Sequence, residues 1–265
     1  MHAFDYHRPS SLNEATALAV RRDAKILAGG QSLVQAMKLG LSTAGDLVDL
    51  GALKGLSAIR TDGQTVIVGA MARHAEVAES PELHKAIPAL AMLAGMIGDR
   101  QVRNLGTLGG AIANNDPAAD YPAAVLGLGA TITTTAGEHP ADTFFRGLYE
   151  TALKPGEIIT SIRFPVPRRA GYAKFSNAAS RFAIVGVFVA ETETGVRVAV
   201  TGAGACVFRA TDMEQALAGR FAPESLANVK VRADNLNSDL HANADYRAHL
   251  VTVMARRAVE AATKT

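Results

Sequence analysis

Apolar positions along the chain change period several times, and each change marks an element. Between Ser11 and Arg22, Leu12, Ala15, Leu18 and Ala19 share one face, which predicts a helix. Ser11 and Glu14 stand at capping-box spacing at its start. Lys25-Ile26-Leu27 reads as a short strand running into Ala28-Gly29-Gly30-Gln31-Ser32. A helix follows through Leu33, Val34 and Met37 to about Gly40. Residues 47–50 and 66–69 read as strands. From Ala72 to Arg103 the period is mostly helical, with Pro81 and Pro88 as breaks.

The stretch from Asn104 to Pro122 is rich in glycine, asparagine, aspartate and proline, and reads as a long loop that still carries Leu105, Leu108 and Ile112. Strands are predicted at 130–135 and 158–164. Two prolines and two arginines interrupt the apolar pattern over Pro165–Ala170, where a domain boundary is expected. Beyond it come three strands, 172–175, 183–191 and 196–202, with Glu193-Thr194-Gly195 as a turn. Helices are predicted at 211–217, 223–229 and 246–262. Strands first and helices after make this part α+β, a three-stranded sheet with helices.

Composition narrows the chemistry. Lys and Arg number 27 against 25 Asp and Glu, so a dominant nucleic-acid surface is not expected. The single cysteine, Cys206, cannot by itself build a disulfide, a four-cysteine zinc site or a [2Fe–2S] cluster, and its small apolar neighbours suggest burial. No uninterrupted apolar window reaches about 18 residues, so no transmembrane helix is expected. The opening Met1-His2-Ala3-Phe4-Asp5 lacks the basic and apolar parts of a secretory leader, which predicts a cytoplasmic protein. The histidines do not cluster, and each is read as solvated or hydrogen-bonded.

Two glycine-rich segments could carry chemistry. At Leu27-Ala28-Gly29-Gly30-Gln31-Ser32-Leu33, a strand meets a glycine pair and a helix start, where N–H groups can point at an anion. The alternative is a tight strand-to-helix turn. Gly106-Thr107-Leu108-Gly109-Gly110-Ala111 is the second, with Asn114, Asn115, Asp116 and Asp120 as partners for sugar hydroxyls. Its alternative is an asparagine-rich surface turn with Asp120 capping a helix before Pro122. Two such segments suit a diphosphate held between subdomains. Arg100 and Arg103 flank the second, either as solvated charges or as phosphate or partner contacts.

The run AGGQSLVQAMKLGL at 28–41, with DLVDL at 46–50, resembles the first flavin-binding segment of the FAD subunits of molybdenum hydroxylases. These include the medium chain of aerobic carbon monoxide dehydrogenase and the FAD subunit of bacterial xanthine dehydrogenases. IGDRQVRNLGTLGGAIANNDPAADYPAAVLGLGATI at 97–132 resembles their second segment. FDYHRPSSLNEA at 4–15, GEIITSIRFP at 156–165 and LHANADYRAHLVTVMARRAV at 240–259 resemble the family's opening, the closing strand of its flavin domain and its C-terminal end.

The resemblance implies a fold of α+β class. A two-subdomain FAD-binding domain of the p-cresol methylhydroxylase type would span 1–167, divided near 55, and a smaller C-terminal domain 168–265. It implies one noncovalent FAD, since neither histidine nor cysteine lies between Ala28 and Gly40. By position, Leu27, Ala28, Gly29, Gly30, Gln31, Ser32, Leu33 and Val34 would line the diphosphate, completed by Thr107, Gly109, Gly110 and Ala111. Asp120 and Lys174 fall at flavin-contacting positions, and Ile97 and Ile159 at apolar contacts. Where carbon monoxide dehydrogenase-like members carry an aspartate–tyrosine pair, this chain has Arg181 and Phe182, and Phe182 could stack on the flavin ring.

The implied role is electron transfer. Two [2Fe–2S] clusters would sit on a small subunit and the molybdenum cofactor on a large one, in a heterotrimer doubled in the family's manner. FAD would pass the electrons to an external acceptor. A stand-alone flavin-dependent reductase or oxidase, and a flavin-free scaffold, are the competing readings.

Overall fold

The computed structural model describes residues 2–264. The chain opens with a parallel three-stranded sheet made of β1 (Asp5–His7), β2 (Lys25–Leu27) and β3 (Asp46–Asp49), in the order β1-β3-β2. Two helices serve it, α1 (Leu12–Ala19) and α2 (Leu33–Lys38). The Ser11 hydroxyl accepts from the Glu14 N–H at 3.2 Å, as capping requires. The reciprocal bond is displaced by one residue, because the Glu14 carboxylate takes the Ser10 N–H and hydroxyl. Ala15, Leu18, Val48, Leu50 and Ile158 form a small core here.

An antiparallel five-stranded sheet follows, in the order β4-β5-β10-β6-β7. Its strands are β4 (Ile59–Asp62), β5 (Thr65–Gly69), β6 (Thr131–Thr134), β7 (Glu138–Pro140) and β10 (Ile159–Pro165). Between β5 and β6 lie α3 (His74–Glu79), α4 (Pro81–Ala86), α5 (Pro88–Gly95), α6 (Arg100–Leu105), α7 (Leu108–Asn114) and α8 (Tyr121–Gly127). Pro81 and Pro88 each open a helix, where a missing N–H costs nothing. A short helix α9 (Ala141–Phe144) and a hairpin of β8 (Phe145–Gly147) and β9 (Glu150–Thr151) precede β10. The largest core fills this part, with Val66, Leu90, Leu108, Ile112, Tyr121 and Phe164 all buried.

The long loop expected from Asn104 to Pro122 is not one. It holds the end of α6, all of α7 and the start of α8. Asp99 caps α6 through the Val102 N–H, and Thr107 caps α7 through the Gly110 N–H. The glycines of α7 serve packing rather than a turn: a Cβ on Gly109 would stand 2.6 Å from the Ala70 Cβ.

The C-terminal part is a four-stranded antiparallel sheet of β11 (Arg169–Ser176), β12 (Ala183–Thr192), β13 (Gly195–Thr201) and β14 (Phe208–Arg209). Three strands were expected; the two-residue β14 is too short to leave a periodic signal. Helices α10 (Thr211–Gly219) and α11 (Ala244–Lys264) complete it. The helix expected at 223–229 is a single 3-10 turn, Pro223–Leu226. β12 reads as an almost continuous apolar run because both of its faces are buried. Val185, Val187 and Val189 face the core under α11, whereas Phe188 and Ala190 join the large core. Buried Arg247 of α11 donates to the carbonyls of Ile184 and Gly202 and to Asp239, which fixes the helix on the sheet.

Candidate functional site

β2 aims the chain into the first glycine turn. Gly30 has φ +73°, a left-handed conformation that would strain any residue with a Cβ. The Val34 N–H returns to the Gly30 carbonyl and the Ala36 N–H to that of Ser32. Among the described residues, the N–H groups of Gly29, Gly30, Gln31, Ser32 and Leu33 have no protein partner. Ser32 stands at the N-cap of α2 without making a side-chain cap bond. Leu27 and Leu33 turn inward beside buried Met37 and Leu47, which fixes the ends of the turn. The half-buried turn thus presents consecutive main-chain donors next to a helix start, a donor set that fits the diphosphate of FAD.

The second glycine segment lies against the first. A Cβ on Gly29 would stand 2.1 Å from the Leu105 carbonyl oxygen and 2.7 Å from the Gly106 Cα. A Cβ on Gly110 would lie 3.6 Å from the Ala28 Cβ. Two turns that are about 75 residues apart in sequence therefore form one crevice wall. The second is spent inward, however. The N–H groups of Leu108 and Gly109 go to the carbonyls of Ala72 and Ala70, and those of Gly110 and Ala111 to the Thr107 hydroxyl and carbonyl. Only the Thr107 N–H has no partner among the described residues.

The polar residues expected on sugar hydroxyls divide. The Asn114 side chain is half-buried and makes no hydrogen bond among the described residues. Asp116 accepts from the Ala118 N–H at 2.9 Å and from the Tyr149 hydroxyl at 3.3 Å. Asn115 is fully buried in a left-handed conformation at the end of α7. Its amide donates to the carbonyls of Gly147 and Glu150, pinning the tip of the β8–β9 hairpin. From there the chain rests on the C-terminal sheet. The Gly202 N–H and Thr201 hydroxyl reach the Pro117 carbonyl, and the Thr201 hydroxyl also reaches Ala119.

Asp120 occupies the N-cap position of α8, yet its side chain does not cap. It accepts from the Tyr172 hydroxyl at 2.5 Å and pairs with Lys174 at 2.9 Å. Burial pushes the Asp120 carboxyl up, opposed by the Lys174 ammonium and the Tyr172 hydroxyl. Lys174, with 1% of its side chain exposed, also donates to the carbonyls of Met96 and Arg181. Arg103 donates to the carbonyls of Ile97 and Gly98, and Arg181 to Gly98. Three cations thus hold the Met96–Gly98 backbone, with half-buried Ile97 at its centre. Arg100 is exposed. Arg181, at φ +64°, and half-exposed Phe182 sit at the β11–β12 hairpin tip. Ile159 is buried at the start of β10.

Sequence reasoning missed three contributors. The sequence marks Tyr172 only as a strand residue, and Asn115 only as one amide among several. His74 was expected to be solvated or hydrogen-bonded. It is buried instead, and its Nδ1 has no partner among the described residues. Burial, with a smaller contribution from nearby Arg103, pulls the imidazole down to about 4. No spacing signal marks a lone histidine of this kind. Cys206 is half-buried, and burial raises its thiol, which disfavours the reactive thiolate. Among the described residues, there is no group of three metal-ligating side chains and no helix long and apolar enough to cross a membrane.

Residues 2–167 match the family model described as FAD binding domain in molybdopterin dehydrogenase. Residues 166–262 match that of the CO dehydrogenase flavoprotein C-terminal domain. The carbon monoxide dehydrogenase medium chain of Hydrogenophaga pseudoflava is 33% identical, over 98% of this chain and 96% of that one. The nicotine 6-hydroxylase medium subunit of Paenarthrobacter nicotinovorans is 35% identical over 99% of each chain. Among solved structures, reconstituted CO dehydrogenase from Oligotropha carboxidovorans matches with a TM-score of 0.91 at 33% identity, covering 99% of this chain and 98% of that one. Quinoline 2-oxidoreductase from Pseudomonas putida 86 matches with a TM-score of 0.89 at 28% identity, covering 99% and 98%. The resemblance and fold class expected from the sequence are borne out. The chain is an oxidoreductase subunit with an FAD-binding domain, and it belongs to the FAD-binding family of molybdopterin dehydrogenases.

Proposed function

We propose that this chain is the electron-transfer subunit of a cytoplasmic, multi-subunit molybdenum hydroxylase. It receives electrons from a partner subunit carrying two [2Fe–2S] clusters and passes them to an external acceptor. A large partner carries the molybdenum cofactor and the organic substrate, and the three chains form a heterotrimer that doubles. One cysteine leaves this chain without ligands for a cluster of its own. The flavin domain ends near residue 167, and the remainder is a separate domain.

The observation that carries this reading is the row of unpartnered N–H groups from Gly29 to Leu33, seated on the second glycine segment. In this reading the N–H groups of Gly29 to Leu33 bind the diphosphate beside the start of α2, framed by Leu27, Ala28 and Val34, whose own N–H returns to Gly30. Thr107, Gly109, Gly110 and Ala111 back this turn from the same wall and exclude water from behind it. Asn114 and Asp116 orient the sugar hydroxyls. Asp120, Lys174, Ile97, Ile159 and Phe182 surround the ring end, with Lys174 positioning Ile97 through the Met96 carbonyl. FAD, when bound, supplies the redox chemistry, and the protein supplies orientation and electrostatics. No proton-transfer residue in this chain has to reach the organic substrate.

The visible absorption spectrum of the purified chain, before and after FAD is added and the excess removed, tests the reading. Bound flavin near one per chain, released intact on denaturation, is the expected result. A chain that stays colourless after reconstitution, alone and with its partner subunits, would overturn it.

A further inference from the structure

We propose that His74 is a positioning residue of the cofactor site: its neutral imidazole props the Gly106–Thr107 turn against Gly29 and keeps that turn in register with the start of α8. The proposal rests on the reading of these turns as the FAD site. The strip Ala70–His74 runs antiparallel to Gly106–Gly109, joined by three main-chain hydrogen bonds of 2.8–3.0 Å, 109 to 70, 108 to 72 and 74 to 106. At the end of this strip the His74 side chain passes beneath Gly106. A Cβ on Gly106 would stand 2.5 Å from the His74 Nε2, and Gly29 closes on the Gly106 Cα. The three residues are therefore stacked: imidazole, glycine, glycine.

The same ring packs on Tyr121, with centroids 5.3 Å apart, and Tyr121 opens α8 directly after Asp120. His74 thus touches both the turn assigned to the diphosphate and the helix start assigned to the ring. Its Nδ1 and the Tyr121 hydroxyl are buried without partners among the described residues, so the contact is one of shape and not of hydrogen bonding. A proton on this ring would be poorly accommodated. Arg103 of α6 adds like charge, and Asp120 of α8 is already tied to Lys174 and Tyr172. Tyr121 stays neutral, and α5 and α7 carry no titratable side chain. On its own helix, Glu76 is spent on the Arg73 N–H, and Arg73 and Glu79 are exposed. Protonation therefore loosens the turn.

The test uses the full chain loaded with FAD, with His74→Ala and His74→Gln variants. Flavin affinity is read at neutral pH, and flavin release is followed as the pH falls. His74→Ala should weaken FAD binding about tenfold or more at neutral pH. His74→Gln keeps a neutral polar group of similar reach and should hold FAD at neutral pH. It should also lack the release step that the wild-type chain shows on approaching a pH of about 4. Wild-type affinity in His74→Ala, or an unchanged acid release step in His74→Gln, would overturn the proposal. If His74→Ala does not fold, the pH profile of His74→Gln decides alone. A wild-type chain that takes up no FAD would instead overturn the flavin reading itself.

Discussion

The turn at Gly29–Gly30 and the turn at Gly106–Gly110 lie against each other, yet their glycines answer different demands. Gly30 needs its positive φ, and the turn it makes leaves a row of donors facing outward. Gly106 and Gly109 have negative φ or helical backbone. They are glycines because His74 and Ala70 occupy the space a side chain would need. One turn is built to present N–H groups, and the other is a buttress with its donors turned into the protein. Glycine richness in a sequence therefore names a crowded or contorted backbone, and only the partners of its N–H groups say whether a ligand is meant.

That contrast can be broken at several points. The largest effect is expected from Lys174→Met, which strands Asp120 in the core beyond the second turn. Losing one partner of a buried ion pair costs about 3–5 kcal/mol, readable by urea unfolding. If stability is unchanged, the clamp on Met96–Gly98 is not what holds that wall.

Acid comes next. His74 is pulled from 6.5 in the unfolded chain to about 4 in the fold, so between these values the unfolded state binds more protons. Its contribution is fully present above pH 6.5, declines as pH falls, and is lost below about pH 4. The difference amounts to about 3 kcal/mol over that window. Unfolding curves across the window should slope more steeply for the wild-type chain than for His74→Gln, and parallel curves would contradict the buried neutral ring.

Gly109→Ala sharpens the comparison directly. Its Cβ meets Ala70, and overpacking of this kind costs about 1–3 kcal/mol of stability. Gly30→Ala should cost only about 1–2 kcal/mol, the strain of a left-handed Ala, while weakening flavin binding by a larger factor than Gly109→Ala does. Thermal melts of the apo chain, paired with FAD titrations, separate the two. Equal ratios of stability loss to affinity loss would erase the distinction between presenter and buttress. Ser32→Ala should leave the fold within about 0.5 kcal/mol, since the hydroxyl caps nothing.

Much of the architecture was legible because it rests on local rules. The Ser11 cap, the prolines that open α4 and α5, and the double-sided apolar run of β12 each leave a pattern in the sequence. The stretch from Asn104 to Pro122 misled because its glycines and asparagines look like loop chemistry. Asn115 is left-handed only at the end of α7, and Gly109 lies inside that helix, a glycine because Ala70 leaves no room for a side chain. The family was legible through the resemblance of the two glycine segments to it. The supports behind them were not. Tyr172, Asn115 and His74 act through partners that are 32 to 52 residues away, and no periodicity encodes such contacts.

The seat of the Asp116–Asp120 turn on Thr201 and Gly202 has a consequence for the order of events during synthesis. β12 and β13 leave the ribosome long after the turn they support. Until residue 202 has emerged, Pro117 and Ala119 have nothing to rest on, and Asp120 waits for Tyr172 and Lys174. The wall that follows the second glycine segment is thus completed from its distal neighbour backwards. A nascent chain halted in β11 therefore still lacks the support of that wall.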